Sequence, residues 1–200
     1  ENKVPAIGLS DSLNLCGALE FSESISKVGT QPIIGTQINF KYSDTIGKLP
    51  IFAKTELGYS NLVKLSSKSF LESNEKEVPN CSIEELLKNS KDVMLLSGGI
   101  DSLFSNLVKK NKIKETESLA FKLKEVFSDS FYLEIQRHND EGERRLENIY
   151  LNLSHKINVP LIASQEVFYI NQDMYEAHDA LLCIGEKTYV NEKNRRKYSN

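Results

Sequence analysis

The sequence lacks the cysteine pattern of a disulfide-rich or zinc-binding domain. Its 200 residues contain three cysteines, Cys16, Cys81 and Cys183, which are far apart and include no Cys-x-x-Cys pair. An odd number of widely spaced cysteines argues against a disulfide framework and against a compact cysteine-based zinc site. We therefore expect reduced thiols in a cytoplasmic protein.

Long apolar runs and an excess of basic residues are also missing. No stretch of about 18 consecutive apolar residues is present, and the polar start lacks the pattern of a signal peptide, so we expect no membrane partner. The formal net charge is −3. A protein whose main task is to coat nucleic-acid phosphates is normally basic, so the charge argues against that function for this chain.

What the chain does contain is a globular composition, with 40% hydrophobic and 26% charged residues. Short apolar runs alternate with amphipathic stretches, which predicts an α/β fold with a mostly parallel sheet covered by helices. Periodicity alone leaves a doubly wound sheet and a barrel both open. The predicted strands are 4–10, 31–41, 49–53, 92–96, 131–136 and 161–164, and the predicted helices are 15–28, 58–71, 82–89, 101–110, 114–127, 141–157 and 173–184.

A glycine-rich turn follows the predicted strand 92–96. Its sequence, SGGIDS, resembles the phosphate-binding loop of the N-type ATP pyrophosphatases, in which backbone N–H groups and a helix N-terminus bind an anion. The alternative is a tight strand-to-helix turn in which Asp101 is the helix N-cap. The phosphate-loop hypothesis assigns the site to Ser97, Gly98, Gly99, Asp101 and Ser102.

A second resemblance covers nearly the whole chain. Six segments are similar, in order and spacing, to the N-terminal PHP (polymerase and histidinol phosphatase) domain of the alpha subunit of bacterial DNA polymerase III. The LLSGG turn belongs to this family too, so it needs no ATP site to explain it. The segments are 6–21, 31–40, 57–70, 93–99, 131–138 and 158–184.

The resemblance implies an irregular seven-stranded (β/α) barrel that lacks its first strand, the one that carries a His-x-His motif in the family. The chain begins at Glu1 without a methionine, so we expect residues 1–200 to be a PHP domain fragment truncated at both ends. The palm, fingers and thumb of the polymerase would lie beyond it. Without the first strand, an open sheet edge beside residues 4–10 would favour self-association.

Active PHP domains hold several metal ions with His, Asp, Glu and Cys ligands. At the corresponding positions this sequence has Ser12 for a histidine, Gln37 for a glutamate, Glu166 for an aspartate and Phe168 for a histidine, and only His138 is retained. Serine and a neutral amide are poor ligands, and a phenyl ring is none. We therefore expect a vestigial, metal-free site with no catalytic residue and no cofactor.

The resemblance implies a structural module of a DNA-directed DNA polymerase, with three partners: the rest of the alpha subunit, the proofreading exonuclease subunit and, through the parent chain, DNA. The second hypothesis is an active phosphoesterase or 3′–5′ exonuclease, which would need zinc, manganese or magnesium. The third is the ATP pyrophosphatase.

Two features near the end of the chain carry predictions of their own. In the helix 173–184, Ala177, Leu181 and Ile184 form an apolar face, and His178 is expected to be structural. The basic cluster 193–197 is interpreted as a linker toward a following domain, with contact to DNA phosphates as the alternative.

Overall fold

The computed structural model describes residues 4–73, 76–138 and 141–198. These residues form a mixed α/β fold in which a seven-stranded sheet curls into half a barrel. The strands are β1 (Ala6–Ser12), β2 (Gln31–Tyr42), β3 (Thr45–Ala53), β4 (Cys81–Ser82), β5 (Val93–Leu96), β6 (Phe131–Ile135) and β7 (Leu161–Ala163).

Helices connect most of the strands, as the alternating pattern predicted. They are α1 (Ala18–Lys27), α2 (Glu56–Leu71), α3 (Ile83–Lys88), α4 (Leu103–Lys109), α5 (Ile113–Phe127), α6 (Glu141–Ile157) and α7 (Tyr175–Glu186), and short 3-10 turns lie at Ser128–Ser130 and Gln172–Met174. Local chemistry explains α3 well, because the Ser82 hydroxyl accepts a hydrogen bond from the Glu85 backbone N–H at 3.2 Å, as an N-cap does.

The order of the strands is β1-β2-β3-β5-β6-β7, with β4 paired to β2. Four of the pairs are parallel, whereas β3 runs antiparallel to both β2 and β5. The mostly parallel sheet is therefore confirmed, with one reversed strand. The reversal comes from a two-residue hairpin turn at Ser43 and Asp44, in which Ser43 has a φ of 53°.

The hydrophobic core lies between one face of the sheet and the helices. Strand residues alternate in direction, so every second residue of the central strands points into this core. Burying each large apolar side chain contributes roughly 1.5–3 kcal/mol. Fully buried members include Ile38, Phe40, Leu49, Ile51, Leu95, Phe131 and Leu133 from the strands and Leu62, Leu65, Phe104, Leu119, Leu123 and Tyr150 from the helices.

The first strand differs from the prediction. The run 4–10 was expected to be a buried strand, but β1 extends to Ser12 and its residues are half-buried or exposed, with 42% of Ile7 accessible. The physical reason is position: among the described residues, β1 pairs only with β2 and β7 only with β6. Edge strands lack a neighbour on one side, and apolar composition alone does not reveal this.

Candidate functional site

The face of the sheet opposite the core, here called the inner face, carries a row of polar side chains. In β2, Ile38 is fully buried in the core, so its neighbour Gln37 points to the inner face. The register of β1 and β2 pairs Ser12 with Gln37. Two of the predicted ligand positions therefore lie side by side, at the carboxyl end of β1.

A lysine from β3 occupies this part of the inner face. The Lys48 Nζ donates a hydrogen bond to the Ser12 Oγ at 3.2 Å, and the Gln37 Nε2 donates to the Ser10 carbonyl at 3.2 Å. Both predicted ligand positions are thus engaged in hydrogen bonds with protein groups. Sequence reasoning missed Lys48, although its position just before the buried run 49–53 was the available signal.

These residues do not fit a metal cluster. A hydroxyl and a neutral amide offer no negative charge, and two unit charges of the same sign at 4 Å repel by about 4 kcal/mol at an effective dielectric constant of 20. The ammonium of Lys48 therefore opposes a cation at Ser12. In the described ranges 4–73, 76–138 and 141–198, no group of three or more His, Cys, Asp or Glu side chains could hold a metal ion.

A buried carboxyl lies farther along the inner face, in β6. Glu134 is 5% exposed, and its Oε1 accepts hydrogen bonds from the Ser164 hydroxyl and, at 3.0 Å, from the Gln136 amide. Its Oε2 has no hydrogen-bond partner in the described part of the chain. Burial raises the pKa of the Glu134 carboxyl, and the charge of Glu166 raises it further.

Glu134 was also missed at the sequence level. Its signal is a single charged residue in the alternating strand FYLEI, at a position whose neighbours Phe131 and Leu133 are fully buried. A carboxyl with a raised pKa and a free oxygen is a feature of functional sites, and it is also a feature of retained structural networks.

His138, the retained histidine, follows β6 and contacts α6. Its Nδ1 lies 2.7 Å from the Glu143 Oε1, and its backbone N–H donates to the Glu143 Oε2 at 2.6 Å. The Glu143 side chain is 7% exposed. These hydrogen bonds tie the end of β6 to the first turn of α6, which is a structural task for the imidazole.

The last two predicted positions follow β7. Glu166 is exposed, whereas Phe168 stacks on His178 with ring centroids 5.2 Å apart and an interplanar angle of 21°. The Tyr198 ring packs against both of these rings, and its centroid lies 4.4 Å from that of Phe168. An aromatic cluster therefore stands at the position where the family resemblance implied a histidine ligand.

The SGGIDS turn is packed against the inner face. The Gly98 carbonyl accepts a hydrogen bond from the Tyr150 hydroxyl at 3.1 Å, and the Ser97 Oγ accepts one from the Glu134 backbone N–H at 2.9 Å. A Cβ at Gly99 would lie 2.0 Å from the Gln136 Oε1, so Gln136 covers the turn closely. The Gly98 carbonyl and the Ser97 hydroxyl of the turn are thus engaged in contacts with other parts of the protein.

The N-cap prediction for this turn was wrong. The N-cap of α4 is Ser102, whose Oγ accepts from the Ser105 backbone N–H at 3.1 Å, while Asp101 is exposed in the turn before it. Both residue types are common N-caps, and the sequence offered them in succession. The close contact between β3 and α4, which includes a bridge between Lys48 and Ser102, fixes where the helix begins.

Sequence comparison identifies longer relatives. The DNA polymerase III alpha subunit of Rickettsia bellii is 36% identical over 183 residues, which cover 91% of this chain and 16% of that protein. The corresponding subunit of Caulobacter vibrioides is 36% identical over 205 residues, covering 98% and 18%, respectively. The chain thus spans about a sixth of the length of these relatives.

Structure comparison finds a more distant likeness. A solved structure described as a metal-dependent phosphoesterase of Bifidobacterium adolescentis has a TM-score of 0.49 and 12% sequence identity, covering 81% of this chain and 77% of that one. None of the described helices is long and apolar enough to cross a membrane. The PHP domain family matches residues 1–138, and the chain belongs to this family.

Proposed function

We propose that the chain is the PHP domain of the alpha subunit of a replicative DNA polymerase, and that residues 1–200 form part of a longer polypeptide that extends DNA primers. The support is the similarity to DNA polymerase III alpha subunits, at 28–36% identity over 91–98% of the chain. The palm, fingers and thumb that carry the polymerase chemistry would lie outside these residues.

Within that polymerase, the domain acts as a metal-free structural module in the cytoplasm. The observation that carries this proposal is the contact between Lys48 and Ser12, because an ammonium group beside the former ligand positions repels the cations that the chemistry of the family needs. Phe168 supports it further, since its ring packs on His178 and offers no donor atom.

The partners of the module are the remainder of the alpha subunit, the proofreading exonuclease subunit and, through the parent chain, DNA. A domain that keeps its hydrophobic core while its ligand positions turn to internal contacts still presents a folded surface. The net charge of −3 supports protein partners over direct coating of DNA.

One observation favours the phosphoesterase alternative. Glu134 keeps a buried oxygen without a hydrogen-bond partner in the described residues, and Glu166 lies near enough to influence its pKa. Two neighbouring carboxylates are part of the set of oxygen ligands that binds a hard cation. In the described residues the ATP pyrophosphatase alternative has only the turn itself in its support, and Gln136 packs so closely on it that a Cβ at Gly99 would lie 2.0 Å from the Gln136 Oε1.

The test uses the purified full-length polypeptide without its exonuclease subunit. We expect it to extend a primed template with deoxynucleotides and to remove no nucleotides from a 3′-labelled single strand, with zinc, manganese or magnesium present. Failure to extend the primer would reject the polymerase proposal. Release of 3′ nucleotides that stops on chelation and is abolished by Glu134→Gln would instead establish the phosphoesterase alternative.

A further inference from the structure

Lys48 differs from the other half-buried lysines of the protein. In the ranges 4–73, 76–138 and 141–198, six lysines are half-buried, and five of them form an ion pair with a carboxylate at 2.6–3.8 Å. These pairs are Lys41–Glu77, Lys68–Glu85, Lys112–Asp44, Lys122–Glu84 and Lys124–Asp129. Lys48 is the sixth, and no carboxylate of the described residues pairs with its ammonium group.

The protein satisfies only part of the Lys48 ammonium group. Such a group has three N–H donors, and among the described residues its one acceptor is the Ser12 hydroxyl, at 3.2 Å. A charge that is partly withdrawn from water is costly unless an opposite charge compensates it. Lys48 therefore keeps a positive charge and two donors for a ligand.

The turn between β5 and α4 lies beside Lys48. Lys48 and Ser102 form a parallel β-bridge, which places the residue just before α4 next to the lysine. In this turn the backbone N–H groups of Ile100 and Asp101 have no acceptor in the described part of the chain. Successive unpaired N–H groups of a turn favour the binding of an anion.

The charges around this turn are positive on balance. The Lys109 Nζ donates to the Ile100 carbonyl at 2.8 Å, and Lys109 has no carboxylate partner in the described ranges either. Asp101 is the acidic residue of the turn, and within the described structure it is exposed and pairs with neither lysine. Two ammonium groups beside one carboxylate leave an excess of positive charge at the turn.

The groups at this place suit a phosphate group. The Lys48 ammonium and the two N–H groups of the turn can only donate, and the Ser12 hydroxyl keeps its own proton as a further donor because it accepts from Lys48. A phosphate group has several oxygens that accept from donors on different sides, and it carries the negative charge that Lys48 lacks. The same set of donors repels a metal cation, so it selects for anions.

We propose that Lys48, Ser12 and the turn 100–101 form a metal-free binding site for the phosphate group of a small molecule, either inorganic phosphate or a nucleoside monophosphate. The ligand is bound and not hydrolysed. It compensates the charge of Lys48 and joins β1, β3 and the turn before α4. The inference goes beyond the proposed function, because it depends on the contacts of Lys48 and requires no polymerase activity.

The experiment measures how fast Lys48 is acetylated in the purified full-length polypeptide, with a chelator present. A bound phosphate covers the ammonium group, so acetylation by an N-hydroxysuccinimide ester slows, and mass spectrometry of the peptides gives the rate. The matched control is Lys64, which is exposed on α2 and has no ion pair in the described residues. Relative to sodium chloride at the same ionic strength, we expect millimolar phosphate to slow the acetylation of Lys48 at least five-fold and that of Lys64 less than two-fold.

Variants connect this protection with the site. We expect phosphate to slow amide exchange of residues 100–101 at least three-fold in the natural protein and in Lys64→Met, and to leave it unchanged in Lys48→Met. Melting curves without phosphate show whether Lys48→Met folds. If it does not, Ser12→Ala replaces it, because this variant keeps the ammonium group and loses one donor, and we expect its half-protecting phosphate concentration to be at least three-fold higher.

Two ligands distinguish the sources of the phosphate group. Equal half-protecting concentrations of inorganic phosphate and a deoxynucleoside monophosphate would assign the binding to the phosphate group alone. A lower concentration for the nucleotide would make the nucleotide the ligand.

Three other outcomes overturn the inference. Equal changes of rate at Lys48 and Lys64, or none at all, would show that no phosphate binds at this place. Protection that appears only when zinc, manganese or magnesium replaces the chelator would show a phosphate held by metal. Protection by a 5′-phosphorylated oligonucleotide, and by neither small molecule, would show a DNA end as the ligand.

Discussion

At the residue scale, protein contacts engage positions on the inner face at which the family resemblance implies metal ligands. Ser12 accepts from Lys48, Gln37 donates to a backbone carbonyl, and Phe168 stacks on His178. The expectation that these positions hold no metal comes from the family resemblance and stays a prediction. The lysine beside them could not be predicted, because a contact between β1 and β3 depends on the reversed direction of β3.

Glu134 gives a prediction about pH. Its folded-state pKa is raised by burial, so the native carboxyl keeps its proton at pH values at which the unfolded one has lost it. The free energy of unfolding therefore falls as pH rises from the ordinary glutamate pKa through the raised one. Glu134→Gln removes this titration, and we expect a stability advantage at pH 8 that diminishes toward pH 5.

Urea denaturation at both pH values measures this effect. The matched control is Glu125→Gln, the same substitution at an exposed position of α5. If the free energy of unfolding of Glu134→Gln depended on pH as that of the natural protein does, the Glu134 carboxyl would be ionised in the folded state without an energetic cost.

A second residue-scale prediction concerns the start of α4. Ser102→Ala removes the hydroxyl that accepts from Ser105, and loss of an N-cap costs about 1 kcal/mol of unfolding free energy. Asp101→Ala is the control, since Asp101 is exposed and outside the cap. Denaturation curves in urea compare the two variants, and a larger loss for Asp101→Ala would contradict the assigned cap.

At the element scale, the sequence predicted the positions of most helices and strands closely, but it did not predict how the strands pair. Apolar periodicity predicted β6 and α6 within one residue at each end, because their buried positions repeat regularly. The run 49–53 was only the second half of β3, whose first half, Thr45–Lys48, follows the hairpin turn, and both halves pair with β2. The buried positions of that first half are Thr45 and Gly47, which are not large apolar residues, so a search for apolar runs misses them, and register depends on tertiary contacts.

Gly47 tests the contact that places β3 on α4. A Cβ at this glycine would lie 2.4 Å from the Leu103 Cα, so backbone would have to move. We expect Gly47→Ala to lower the free energy of unfolding by about 1–3 kcal/mol, the range for overpacking. Thermal denaturation, followed by circular dichroism, gives the measurement.

The control for that variant is a glycine with open space around it. Gly185 in α7 has no atom within 4 Å of a built Cβ, and alanine favours the helix by up to about 1 kcal/mol. Gly185→Ala should therefore leave stability unchanged or raise it. If Gly47→Ala and Gly185→Ala changed the free energy of unfolding by the same amount, the close approach of β3 and α4 would not be a stabilising contact.

At the scale of the whole molecule, the sequence predicts the core of the half-barrel, but it does not predict which apolar surfaces stay exposed. The apolar face of α7 was visible in the sequence, yet its exposure was not, because periodicity shows that a helix is amphipathic and not which face is covered. Arg195 belongs to the basic cluster 193–197, whose role as a linker stays a prediction, and it forms a buried ion pair with Asp179, which the sequence did not reveal.

That ion pair gives a prediction for the end of the chain. Arg195→Gln removes the charge that neutralises Asp179 and both strong hydrogen bonds to it. We expect faster amide exchange in residues 187–198 and unchanged exchange in β2 and β3, since the core contacts are distant along the sheet. Lys193→Gln, at an exposed position of the same segment, serves as the control, and equal changes in amide exchange across the whole chain would contradict a local role of the ion pair.

The central claim is that the domain is a structural module without a metal cluster, and metal content tests it most directly. The purified full-length polypeptide is dialysed against zinc, manganese and magnesium, then against metal-free buffer, and its metal content is measured by mass spectrometry with inductively coupled plasma. A Lys48→Met/Ser12→His variant, which removes the opposing ammonium and restores an imidazole, provides the comparison. The account predicts less than about one metal ion per chain in the natural protein. Two or more zinc or manganese ions per chain, retained through dialysis and lost on chelation, would contradict it.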